Sequence, residues 1–126
     1  MPVATLRSVV LDCPDPMSLA TFYAGILGGS PRTSSDPEEG DSWVMLSGHD
    51  GTQLAFQEVS GYVAPRWPEE EGGQQFHLDL TVDDLDRGEE QVLALGAKLL
   101  DAGGPDRDFR VYADPVGHPF CLCVDR

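Results

Sequence analysis

The sequence predicts an α+β fold made of two tandem βαβββ modules, and three observations carry that expectation. A strand–helix–strand–strand–strand pattern occurs twice along the chain. A Pro- and Gly-rich connection, "SGYVAPRWPEEEGGQ", separates the two copies. Aligning the helix caps Asp15 and Asp84 superposes the copies with a shift of 69 residues, which also places "SVVLD" on "HLDLT". The repeat is one of pattern, with weak identity between the halves. Within a single domain, 1–126, module one covers about 1–60, the linker about 61–73 and module two about 74–126.

"TLRSVVLD" is rich in β-branched residues and reads as the first strand. In the following segment Asp15 is a natural N-cap, Pro16 suits the first helical position and Gly28 stops the helix. Leu19, Phe22, Tyr23 and Ile26 recur at helical spacing and form one buried stripe. A short polar segment near Arg32 to Ser35, the strand "SWVMLSG", the turn "GHDGT" and the strand "QLAFQEV" complete the first module. In the second, "QFHLDLTV" is a strand and "DDLDRGEEQVLALGAK" is a helix with Leu85, Val92 and Leu95 inward and Gly96 at its end. "KLLDAGG", "FRVYADP" and "PFCLCVDR" give three more strands, the last two joined by "DPVGH".

Composition bounds the function. A chain of 126 residues with 40% hydrophobic and 24% charged residues can bury a core without staples. A formal charge of −14 excludes nucleic acid, whose phosphates recruit Lys and Arg, and disfavours anionic membranes. No apolar run of 18 residues exists, so no membrane span is expected; with no signal-peptide pattern at Met1, the expected location is cytoplasmic. Three cysteines without framework spacing read as reduced thiols. Cys121 and Cys123, side by side on one strand face, are poorly placed to bond each other.

Alternation along the four long strands separates two faces. One is apolar: Val9 and Leu11; Leu54 and Phe56; Leu78, Leu80 and Val82; Phe120, Leu122 and Val124. The other carries Ser8, Val10 and Asp12; Gln53, Ala55 and Gln57; His77, Asp79 and Thr81; Cys121 and Cys123. That second set contains no Lys, Arg or Glu but does contain residues that are usually buried. It therefore reads as the wall of a semi-enclosed crevice, with an ordinary solvated or dimer-covered face as the alternative. His49 reads as exposed, and Asp114, Pro115 and His118 as turn chemistry. Trp67 and Arg66, in a polar linker, read as a lid or rim and as an anchor for an anionic group.

"FYAGILGG", "FHLDLTVDDLDRGEEQVLALGAK" and "ADPVGHPFCLC" together resemble the glyoxalase/bleomycin-resistance/dioxygenase superfamily, the vicinal oxygen chelate proteins, and most closely its bacterial glyoxalase-like group. The resemblance covers essentially the whole chain. It implies that the modules' strands curl into a U-shaped mixed sheet around a central cavity, and that the protein is a homodimer. Metal-dependent members carry ligands at four positions, which map here to Ser8, His77, Cys121 and Ala55, with Gln57 one step along the same face. His77 and Cys121 are thus the candidate metal ligands, and Asp79 an orienting partner for His77. An open catalytic site normally uses about three protein ligands. The expectation is therefore a binding protein for a small molecule without a catalytic metal, its ligand held by Ser8, Gln57, Trp67, His77, Asp79, Cys121 and Cys123. Two alternatives stand beside it. One is a lyase or dioxygenase-like enzyme with a nonstandard divalent metal site (Zn, Ni, Fe or Mn), in which His77 and Asp79 are the catalytic candidates. The other is an antibiotic-sequestering protein of the bleomycin-resistance kind, where negative charge captures a cationic drug.

Overall fold

The computed structural model describes residues 2, 6–34, 38, 40–65 and 76–124. They form two compact units, Met1–Tyr62 and Val63–Arg126. The first holds β1 (Val9–Cys13), α1 (Pro16–Leu27), β2 (Ser30–Thr33), a 3-10 turn (Gly40–Ser42), β3 (Trp43–Ser47) and β4 (Leu54–Glu58). The second holds β5 (Leu78–Thr81), α2 (Leu85–Leu95), β6 (Lys98–Asp101), β7 (Phe109–Ala113) and β8 (Pro119–Cys123). Each is a βαβββ module, and the short polar segment of the first module is the strand β2.

Each module has its own four-stranded mixed sheet, ordered β1-β4-β3-β2 and β5-β8-β7-β6. In both, the first strand runs parallel to the last and the hairpin neighbours run antiparallel. The crossover through the helix produces the parallel pair, and the tight turns produce the antiparallel ones. β4 and β8 are therefore flanked on both sides, while β1 and β5 lie at sheet edges. Burial follows: Phe56, Phe120 and Leu122 are fully buried, whereas Val9, Leu11, Leu78 and Leu80 are only half-buried.

The helix ends form as the sequence dictates. The Asp15 carboxylate accepts from the Ser18 amide at 3.3 Å, and the Gly28 amide donates to the Ala24 carbonyl at 2.8 Å, with Gly28 at φ 84°. Asp84 likewise accepts from Asp86 and Arg87, and Gly96 closes α2 at φ 116°.

The two helices pack differently. α1 buries Pro16, Leu19, Ala20, Phe22 and Tyr23, with the Tyr23 ring stacked on Phe56 at 5.9 Å. α2 buries only Gly88 and Val92; Leu85 is half-buried and Leu95, expected inward, is 41% exposed. Leu95 is the last residue of α2, one before the Gly96 cap. Gly88 occupies the position equivalent to Leu19 and lies against Val82 and Leu122, so α2 approaches its sheet through a glycine where α1 uses a leucine. Among the described residues no helix is long and apolar enough to cross a membrane.

Candidate functional site

β5 begins one residue after His77, and its two-residue period puts His77 and Asp79 on the same face. Their side chains meet, with His77 Nε2 and Asp79 Oδ1 3.3 Å apart. The neighbouring strand is β8, where the parallel register sets Asp79 opposite Cys121 and Thr81 opposite Cys123. On its other side β7 sets Val111 opposite Cys121 and Phe109 opposite Cys123. A cavity of about 220 Å³ results. His77, Asp79, Cys121 and Cys123 line it, together with Asp108, Phe109 and Val124.

The polar groups in it are close-set. One ligand atom each from His77, Asp79 and Cys121 falls within 4.8 Å of the others. Cys121 is 6% exposed, whereas His77 and Asp79 are open to solvent. Burial is the main reason the Cys121 thiol is pushed up from an ordinary 9.0 to about 11, with the Asp79 carboxylate and Cys123 adding to it and Arg107 opposing. Near neutral pH the sulfur keeps its proton. A thiol whose folded pKa is raised contributes stability that is intact below about pH 9 and is lost as pH rises through about 11. Cys121→Ser is therefore expected to flatten the decline of denaturation midpoints between pH 9 and 11; parallel declines in variant and parent would contradict it.

The rim is braced by Arg107. Its guanidinium lies over the Phe109 ring at 4.3 Å, its Nε donates to the Phe109 carbonyl at 3.0 Å, and it pairs with Asp101 at 3.1 Å. The hydrogen bond from Arg107 in turn holds the Asp101 carboxyl below its usual range. Behind the sheet, the buried Tyr112 donates to Glu89 of α2 at 2.9 Å, and Arg110 pairs with Asp86 at 2.9 Å.

Four of the expected site residues, His77, Asp79, Cys121 and Cys123, come together in this cavity. Ser8 and Gln57 do not line it; both belong to the first module. Ser8 is half-buried just ahead of β1, and Gln57 is exposed on β4, in register with Asp12. Ala55 is fully buried. Trp67 and Arg66 lie outside the described residues. Cys13, by contrast, is a packing residue, fully buried with its sulfur donating to the Gln57 carbonyl at 3.6 Å. His49, expected exposed, is half-buried because its Nε2 bonds the Thr52 carbonyl at 2.9 Å across the turn. Asp114 is 3% exposed and its carboxylate accepts from Val116 and His118, which makes that segment a turn brace.

Sequence reasoning missed Asp108, Phe109 and Val124. The signal for Phe109 was present: the turn 114–118 pairs Ala113 with Pro119, and stepping back by twos puts Val111 and Phe109 on the cysteine face.

The donor set bears on metal binding. Of the four mapped ligand positions, Ala55 offers no donor and Ser8 a weak one, so a hard ion requiring several oxygen or imidazole ligands does not fit that set. The second module alone offers one imidazole, one carboxylate and one buried thiol within 4.8 Å.

The family model described as Glyoxalase-like domain matches residues 8–123. Comparison with curated proteins finds no match. Among solved structures, a glyoxalase/bleomycin resistance protein/dioxygenase family enzyme from Burkholderia phytofirmans PsJN is 18% identical with a TM-score of 0.70, over 96% of this chain and 98% of that one. The fosfomycin resistance protein FosX from Mesorhizobium loti is 18% identical at TM-score 0.70, over 99% and 94%. A mutant FosX from Listeria monocytogenes, complexed with Mn(II) and 1S,2S-dihydroxypropylphosphonic acid, is 16% identical at TM-score 0.70, over 99% and 95%. At these identities the likeness is one of fold.

Proposed function

The chain belongs to the glyoxalase-like domain family, and from that premise we propose that it binds a small organic molecule in the cavity of its second module, without a catalytic metal. The observation that carries this reading is the cavity itself. It has a polar floor of His77, Asp79 and Cys121 and apolar walls from Phe109 and Val124. A few convergent polar groups on an apolar lining are what orient and hold a small ligand. The His77–Asp79 pair supplies the anchor, since the carboxylate fixes the imidazole that meets the ligand. Asp79 and Asp108 on the lining, with a formal charge of −14 on the chain, favour a neutral or cationic ligand over an anionic one.

A library of neutral and cationic small molecules, screened by thermal shift, tests it. A binder should lose about 10-fold in affinity in His77→Ala, the loss of one hydrogen bond. The variant's circular dichroism should match the parent. Unchanged affinity would remove His77 from the site and with it this reading.

A second reading, a lyase or dioxygenase-like enzyme with a nonstandard metal, is favoured by one observation, the His77, Asp79 and Cys121 cluster. There His77 and Cys121 would hold the ion, which would supply Lewis-acid activation of a bound oxygen. Elemental analysis of tag-free protein separates the two readings. Near-stoichiometric zinc, nickel, iron or manganese supports the enzyme, and its absence together with no thermal shift on adding those ions excludes it.

A further inference from the structure

The turn between β6 and β7, residues 102–108, is tied to the cavity wall through one side chain. Phe109 opens β7 directly opposite Cys123 of β8, and both line the cavity. Paired residues on neighbouring strands share a face, so the ring stands beside the sulfur. The Arg107 guanidinium lies over that ring, with its carbon 4.3 Å from the centroid. Its Nε donates to the Phe109 carbonyl at 3.0 Å, one Nη to the Asp101 carboxylate at 3.2 Å and the other to the Asp101 carbonyl at 3.1 Å. The same carboxylate accepts from the Gly103 amide at 2.9 Å, and the Arg107 amide closes on the Gly104 carbonyl at 3.1 Å. The turn is therefore wrapped around one planar cation, from Asp101 at the end of β6 to Phe109 at the start of β7. Gly103 makes room for it, since a Cβ there would run into the guanidinium. Asp108 and Phe109 belong to the cavity lining, whereas Arg107 stands behind it.

We propose that Arg107 is the positioning residue of this cavity: by holding the turn 102–108 closed it fixes Asp108 and the Phe109 ring in the wall, and so sets the size of molecule that the cavity admits. The planar fork is what does this, because it satisfies a carboxylate and two carbonyls at once while lying flat on a ring. A lysine keeps the charge and loses that geometry. The proposal rests on the reading of this cavity as the ligand site. Its test reads the wall without any ligand, so the two can fail separately.

The probes are two thiol reagents of different size, iodoacetamide and N-phenylmaleimide, with labelling of Cys123 followed by peptide mass spectrometry on the full chain. In the parent, the Phe109 ring should hold back the bulky reagent more than the small one, each rate taken relative to glutathione. In Arg107→Ala the N-phenylmaleimide rate at Cys123 should rise roughly ten-fold, the factor by which losing one such hydrogen bond weakens the closed turn. The size preference should shrink with it. Losing a nearby positive charge disfavours a thiolate, so charge alone predicts slower labelling, the opposite sign. Arg107→Lys should behave like Arg107→Ala. Gly103→Ala should do the same with the guanidinium still in the chain, and it carries the test should Arg107→Ala fail to fold. Cys13, fully buried in the first module, is the internal control and should stay protected throughout. Cys123 labelling with parental rates and size preference in Arg107→Ala overturns the proposal. So does a rise at Cys13 in step with Cys123, which would make Arg107 a residue of general stability only.

Discussion

Replacing Phe120 by alanine is expected to cost about 3–5 kcal/mol, the usual loss for a large aromatic removed from a core. Phe120 is fully buried at the centre of β8, and its ring stacks on Tyr112 with centroids 5.6 Å apart. Most of the loss is transfer energy and the cavity left behind, with the stacking geometry adding a smaller share. A domain of this size has a total stability of about 5–15 kcal/mol, so the change removes a large fraction of it. The melting temperature should fall by roughly 10–20 °C. The next residue along the strand is Cys121, on the opposite face. Any ligand bound in the cavity should therefore weaken alongside stability, even though Phe120 touches none of it. A cost under 1 kcal/mol by urea denaturation would mean that the second module's core is not built around this ring.

The second large effect concerns the link between α2 and β7. Glu89→Ala should destabilise by about 1–3 kcal/mol, because it takes away the acceptor of a buried hydroxyl's proton. Tyr112 is fully buried, and its hydroxyl donates to Glu89 at 2.9 Å. Burial first, and then the Glu89 hydrogen bond and charge, raise the Tyr112 phenol well above its ordinary 10.0. The ion pair between Glu89 and Arg110 at 3.4 Å is lost in the same variant. Glu89→Gln keeps an acceptor for the phenol and should cost clearly less than Glu89→Ala. Equal losses in the two variants would assign the effect to charge and not to the lost acceptor. The contact matters because α2 buries little else, only Gly88 and Val92.

Much of this protein was legible before any coordinates. Asp15, Pro16 and Gly28, like Asp84 and Gly96, mark helix ends through local hydrogen bonding and backbone freedom, which need no tertiary partner. The alternation in "HLDLT" and "PFCLC" assigned His77, Asp79, Cys121 and Cys123 to one face for the same local reason. The inward placement of Leu95 failed because helical periodicity gives a direction and not the extent of the surface opposite it. His49 was misread because its partner, the Thr52 carbonyl, depends on how the turn closes.

The sequence by itself determined the βαβββ repeat, the helix limits and which residues share a face, since all of these follow from short-range periodicity and capping. Only the tertiary structure decided that Asp79 stands opposite Cys121, because that register is set by pairing between strands some 40 residues apart. It also decided the burial that pushes the Cys121 thiol up to about 11. Side-chain direction is a local property of a strand; the cavity is a property of three strands at once.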